Sequence, residues 1–260
     1  DRIEDKVKGV SKMDVTVKRD GLTLRGVLEG TEQLQNKRVA ILMHGFQGDR
    51  GYKAGNFLYD LSHELNQAGI PTLRFDFAGC GQSDGSFTDM TVLSEISDGM
   101  KIIDFARSEM KAQQIYLIGH SQGGVVASML AAYYRDVITK EVLLAPAATL
   151  KDDALLGTCQ GTKYDPNHIP LTVDVHGEAV SGEYFRTAQL LPIYETAQHF
   201  MGPALLIHGL ADTVVSPEAS KKYNVILPKS ELHLIEGEGH RFMGKDKPAI
   251  LKLVTNFLQE

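Results

Sequence analysis

Alternating strand-like and helix-like segments predict an α/β protein, with a mostly parallel central sheet and helices on both faces. Three observations carry that expectation. Short apolar runs such as Val39–Met43, Pro71–Phe75 and Ile115–Ile118 are separated by stretches of helical character. The pentapeptide Gly119-His120-Ser121-Gln122-Gly123 follows one of those runs and leads into the buried-helix sequence Gly124–Ala132. At 260 residues and 43% hydrophobic, the chain is long enough for one large core and ordinary for a globular protein.

The elements follow in order. Met13–Val17 and Leu22–Leu28, joined through Asp20-Gly21, read as an opening antiparallel hairpin, and residues 1–12 before it as an N-terminal extension. Val39–Met43 is a strand, followed by a helix near Phe57–Gln67 and the strand Pro71–Phe75. A glycine-rich loop then leads to a long helix from about Val92 to Met110. After the serine pentapeptide come the strands Glu141–Leu144 and Ala204–Ile207, a helix near Pro217–Ile226, the strand Leu232–Ile235, and a closing helix from about Pro248 to Leu258.

Residues 149–200 break this rhythm. The alternating run Leu171, Val173, Val175 ends at His176-Gly177, and a helical run follows with Tyr184, Ala188 and Leu191 on one face, ended by Pro192. A piece of this size between two core strands is expected to be a lid over the C-terminal edge of the sheet, where open α/β sheets bind ligands. The core is then 13–148 and 201–260.

Composition excludes several classes. A net charge of −6 without a basic stripe argues against nucleic acid. No apolar run approaches the roughly 20 residues that span a bilayer, so no membrane partner is expected. Cys80 and Cys159 lack both a disulfide framework and metal-ligand spacing, and are expected to be free thiols in a reducing, cytoplasmic setting. A removed signal peptide stays open, with Met13 a candidate original start. The segment Phe75–Gly85 contains Gly79-Cys80-Gly81 but no third spaced glycine opening a helix, so it is not a dinucleotide fingerprint. No Walker loop, His-Glu-x-x-His or cysteine cluster occurs, so neither metal nor organic cofactor is expected.

The chemistry centres on Ser121. A serine between glycines, at a turn from strand to helix, is a nucleophile held on a strained elbow. A hydroxyl needs a base to take its proton, and the base needs a carboxylate to fix its tautomer. Downstream, Asp212 follows the strand ending Leu206-Ile207-His208, and His240 follows the strand ending Leu234-Ile235. The order serine, acid, histidine, each after a strand, marks Ser121 as nucleophile, Asp212 as orienter and His240 as base. The backbone N–H groups of Gln122 and of Phe46, in His44-Gly45-Phe46-Gln47-Gly48, are the expected oxyanion donors. His208 is expected to pack under the acid loop and His120 to point away from the reacting face. Asp98, Asp104 and Asp174 read as solvated positions.

The whole pattern resembles the α/β-hydrolase superfamily and, more narrowly, bacterial cinnamoyl (feruloyl) esterases with a small inserted lid. The resemblance runs from about Met13 to Leu258 and is most specific at Gly119–Leu130, Leu143–Leu150 and Asp212–Pro217. It implies an α/β-hydrolase fold and hydrolysis of hydroxycinnamate esters, small aromatic esters of ferulate, caffeate or p-coumarate. By the same resemblance Asp153, Gln160 and Tyr184 of the lid bind the phenol. A broad acyl esterase, a monoacylglycerol lipase or a thioesterase would use the same machinery on another substrate. A non-catalytic receptor is disfavoured because every catalytic part is present. The natural ester is not legible, and a homodimer is left open.

Overall fold

The computed structural model describes residues 11–260, so most of the expected N-terminal extension lies outside the described residues. The chain opens with β1 (Lys12–Arg19) and β2 (Leu22–Glu29), an antiparallel pair turned at Asp20 and Gly21, both at positive φ. β3 (Arg38–Met43), α1 (Phe57–Gln67), β4 (Thr72–Phe75), α2 (Val92–Ser108), β5 (Gln114–His120), α3 (Gln122–Tyr133) and β6 (Ile138–Leu144) follow. The chain then leaves the sheet. It forms α4 (Leu150–Leu156), the short pair β7 (Thr158–Cys159) and β8 (Thr162–Lys163), the hairpin β9 (Thr172–Val175) and β10 (Glu178–Ser181), α5 (Gly182–Leu190) and α6 (Ile193–Ala197). It returns through β11 (Ala204–Gly209), α7 (Glu218–Ile226), β12 (Ser230–Ile235) and α8 (Lys247–Gln259).

Eight strands form one sheet in the order β1-β2-β4-β3-β5-β6-β11-β12. β1–β2 and β2–β4 pair antiparallel, and every other pairing is parallel. Side-chain alternation divides the core between the two faces. Val39, Ile41, Met43, Ile115 and Leu117 pack on one side with α2 and α3, while Ala40, Leu42, Tyr116 and Ile118 pack on the other with α1 and α8. Such double coverage explains why the central strands are apolar on both faces. α3 is apolar nearly all round and buried from Gln122 to Ala132, as a helix enclosed by a domain must be.

The excursion after β6 agrees with the expected strand run and helix, but α4 and the β7–β8 pair were not foreseen. They are too short for a periodic signal. Asp98 corrects a solvated reading. It is completely buried on α2, where Arg19 Nε donates to its Oδ1 at 2.6 Å and the Ala78 N–H donates to its Oδ2 at 2.8 Å. Its cationic partner lies on β1, far away in sequence, so local patterning could not reveal it. Asp104 and Asp174 are exposed, as expected.

α3 reaches the sheet only because Gly119 and Gly123 carry no side chain. A methyl group on Gly123 would overlap the Met43 and His44 carbonyl oxygens at the end of β3. Alanine normally favours a helix interior over glycine by about 1 kcal/mol. Gly123→Ala is nonetheless expected to destabilise the fold by about 1–3 kcal/mol, through overpacking. Thermal denaturation tests this, and a melting temperature equal to the parent's or higher contradicts it.

Candidate active site

The end of β5 delivers Ser121 into a left-handed conformation, φ 57° and ψ −123°. Only surrounding structure can hold a serine there. Its N–H donates to Leu144 O on the neighbouring strand at 2.9 Å, and its carbonyl accepts from the Gly124 and Ala147 N–H groups at 2.9 and 3.0 Å. The turn lifts Oγ to 2.9 Å from His240 Nε2. His240 Nδ1 in turn lies 2.7 Å from Asp212 Oδ2. A carboxylate only accepts, so Nδ1 carries the ring proton and Nε2 is left to accept from the serine hydroxyl. The structure therefore brings Ser121, His240 and Asp212 into one hydrogen-bonded line, at the C-terminal ends of β5, β11 and β12.

Asp212 is held from four directions. Oδ1 accepts from the Val214 and Val215 N–H groups, both at 2.8 Å, while Oδ2 accepts from His240 and, at 3.1 Å, from His208 Nε2. Burial alone would raise this carboxyl. The hydrogen bonds from His208, His240 and Val215 outweigh burial and hold it well below the usual carboxylate range. His208 packs beneath the loop, as expected, but it does more than fill space. Nε2 also reaches Val215 O at 3.0 Å, and Nδ1 lies 2.7 Å from Ser220 Oγ. Carbonyl and carboxylate both only accept, so Nε2 bears the proton and Ser220 donates to Nδ1.

The His240 loop is also braced from behind. The buried Glu238 carboxylate accepts from the Gly244 and Asp246 N–H groups, each at 3.0 Å. His120 turns away from the Ser121 hydroxyl, as expected, and its Nε2 donates to the His240 carbonyl at 2.7 Å. Burial, and then the nearby His240, lower the His120 ring to about 4, so it stays neutral. Neither brace has a signature in the sequence, since both act on backbone.

The loop after β3 faces Ser121 from the other side. Gly45 is required there, because a Cβ would come within 2.9 Å of Ser121 Cβ. His44 Nε2 accepts from the Phe77 N–H at 3.1 Å, while Nδ1 donates to Gly45 O at 2.9 Å. Farther along, the buried Asp76 carboxylate ion-pairs with Arg50 and accepts from Tyr52 Oη at 2.6 Å. Neither the Phe46 nor the Gln122 N–H donates to any described residue. Both residues line a cavity of about 340 Å³ that opens on Ser121.

Asp153, Gln160 and Tyr184 line the same cavity. Asp153 lies within α4, its carboxyl accepts no hydrogen bond from a described residue, and burial followed by Asp152 raises that carboxyl. Gln160 is exposed at the cavity rim, its carbonyl accepting from His176 Nε2 at 2.9 Å. Tyr184 is buried, with its hydroxyl donating to Gln122 Oε1 at 2.7 Å. Gln122 Nε2 in turn donates to the buried Glu95 Oε2 at 2.9 Å. Burial pushes Glu95 up to about 8; the Gln122 hydrogen bond opposes this and Asp98 adds to it. No local pattern marks this Glu95–Gln122–Tyr184 chain, because its three members lie far apart in the sequence. Among the described residues, no group of three or more His, Cys, Asp or Glu side chains is arranged to hold a metal ion.

A family model described as serine aminopeptidase, S33 (Hydrolase_4) matches residues 35–164, half of the chain. The chain belongs to this α/β-hydrolase family. Among solved α/β-hydrolases, Est1E from Butyrivibrio proteoclasticus with ferulic acid bound matches with a TM-score of 0.87 at 30% identity, over 94% of this chain and 98% of that one. A second Est1E structure matches with a TM-score of 0.83 at 27% identity, over 95% of this chain and 97% of that one. The lysophosphatidylserine lipase ABHD12 of Danio rerio is 25% identical over 236 residues, 85% of this chain and 58% of that protein. The chain thus spans a little over half the length of that curated relative. No helix among the described residues is long and apolar enough to cross a membrane.

The hydrogen bonds on Asp212 have a consequence for acid stability. A carboxyl depressed in the folded state adds stability above its unfolded value, about pH 3.9, and loses it as pH falls through the lowered value. His208→Phe removes one donor and lets Asp212 rise, so acid unfolding should begin at higher pH than in the parent. Circular dichroism against pH measures the midpoint, and an unchanged midpoint contradicts the role given to His208.

Proposed function

We propose that this protein is a serine carboxylic-ester hydrolase that cleaves hydroxycinnamate esters through an acyl-enzyme. The observation that carries the reading is the 2.9 Å and 2.7 Å hydrogen-bonded line from Ser121 through His240 to Asp212, beside a cavity that Ser121 lines. His240 takes the serine proton as Oγ attacks the ester carbonyl carbon, and Asp212 keeps the imidazole in the required tautomer. The Phe46 and Gln122 N–H groups receive the oxyanion, with the α3 N-terminus adding its dipole. His240 then protonates the leaving alkoxide. Water, deprotonated by the same ring, attacks the acyl carbon and releases the acid and the serine.

Residues 149–200 act in this reading as a lid that encloses the aryl group, with Asp153, Gln160 and Tyr184 at the phenol. Ferulic acid in the Est1E structure supports this class of substrate, as does a cavity walled by Phe46 and Phe185 with a few polar groups. A second reading, a lipase acting on lipid acyl esters, has its own support. Leu155, Leu156, Leu171 and Leu190 of the same segment are exposed, and the ABHD12 relatives are named as lysophosphatidylserine lipases.

Kinetics on methyl ferulate and p-nitrophenyl acetate separate these readings. Ser121→Ala is expected to lower kcat/KM on methyl ferulate by about 10⁴-fold or more while leaving the fold intact. Asp153→Ala should weaken methyl ferulate by about tenfold more than p-nitrophenyl acetate, because only the former carries a phenol. Equal losses on both esters remove Asp153 from the phenol site. Turnover of long-chain acyl esters alone favours the lipase.

A further inference from the structure

We propose that Glu95, acting through the Gln122 amide, sets the hydrogen-bond polarity of Tyr184 and thereby selects acyl groups that carry a hydrogen-bond donor at their aryl end. The inference rests on the hydroxycinnamate reading and adds to it a residue that never touches the substrate.

An amide can face a neighbour with either its oxygen or its nitrogen, and the choice here follows from what surrounds it. Gln122 Nε2 lies 2.9 Å from Glu95 Oε2 and 3.4 Å from Met90 Sδ. A thioether accepts and cannot donate, and the Glu95 oxygen at 2.9 Å accepts from the same nitrogen. The NH₂ group therefore faces Glu95 and Met90, and Oε1 faces Tyr184 Oη at 2.7 Å. A carbonyl oxygen cannot donate, so the phenolic proton of Tyr184 is spent on Gln122. Glu95, Met90, Gln122 and Tyr184 are all buried, so bulk water does not compete for these bonds.

With that proton spent, the hydroxyl of Tyr184, a residue that lines the cavity, has only lone pairs left to offer. The carboxyl of the other polar wall residue there, Asp153, receives no hydrogen bond from any described residue and also offers acceptor oxygens. Two acceptors in the wall of one cavity favour a substituent that donates. They disfavour one that only accepts, which would leave polar groups facing each other unpaired. A phenol O–H satisfies this demand, and so would an aniline N–H. In Glu95→Gln the new amide can offer N–H to Gln122 Oε1. Gln122 is then free to turn its own NH₂ to Tyr184, which releases the phenolic proton towards the cavity. The preference for donors should weaken while hydrogen-bond satisfaction, and so the fold, is retained.

The test compares methyl 4-hydroxycinnamate, methyl 4-aminocinnamate and methyl 4-fluorocinnamate. In the parent, kcat/KM for the hydroxy and amino esters should exceed that for the fluoro ester by about tenfold or more, mainly through KM. In Glu95→Gln that ratio should shrink by about threefold or more. In a Tyr184→Phe background, adding Glu95→Gln should leave the ratio unchanged, since the effect passes through the phenolic proton. Equal turnover of the amino and fluoro esters by the parent overturns the inference without any variant. An unchanged ratio in Glu95→Gln overturns it too, as does the same shift in the Tyr184→Phe background. Failure of the parent on all three esters, with p-nitrophenyl acetate still cleaved, instead removes the hydroxycinnamate reading, and this inference with it.

Discussion

The backbone of Ser121 is the constraint around which the rest of the site is arranged. A serine at φ 57° is strained by about 1–3 kcal/mol, and it stays there because its N–H and C=O are both tied to neighbouring backbone. That geometry needs α3 to begin immediately beside β5 and β3. Close approach in turn requires glycine at 119 and 123, while Gly45 lets the β3 loop come up against the serine. Strand order does the remainder. With β5, β6, β11 and β12 parallel and adjacent, their ends deliver the serine, aspartate and histidine loops to one edge.

Precision at that edge comes from polar contacts to backbone and not from the three aligned side chains alone. Asp212 is fixed by two N–H groups and two imidazoles, so its charge and its direction are set together. The His240 loop is gripped by Glu238 on one side and His120 on the other. The β3 loop hangs from Asp76 and His44, and Gln47 Nε2 ties it to Val175 O of β9 at 2.7 Å. Each loop that carries a reacting group is therefore anchored to an element other than its own strand. A hydroxyl and a ring held this way need little reorganisation when charge develops between them.

The sequence reveals the sheet and the three aligned residues for one reason. A polar residue just beyond an apolar strand leaves a local mark, and Ser121, Asp212 and His240 each bear it, with close glycines at Ser121 and His240. The central strands are legible because burial on both faces makes them continuously apolar. What stays hidden depends on partners distant in sequence. Asp98 looks solvated until Arg19 arrives from β1. His208 looks like filler until the acid loop folds over it, and Glu95 looks like an ordinary helix carboxylate until Gln122 and Tyr184 are stacked against it. α4 and the β7–β8 pair are short, and they are held by tertiary contacts that no seven-residue window contains.

The two sides of the site meet at Gln122. Its backbone N–H, beside the Ser121 hydroxyl, donates to no described residue, while its side chain carries the polarity of the buried Glu95 to the wall of the cavity. In the proposed reaction, bond-breaking and recognition of the acyl group are thus linked through one residue next to Ser121, and both require Ser121 to be reactive. Intact-protein mass spectrometry after exposure to a fluorophosphonate, followed by peptide mapping, reads that reactivity directly. The expected result is a single adduct on Ser121 that is absent in Ser121→Ala. A folded parent that takes up no phosphonate, or an adduct on another residue, would contradict the assignment.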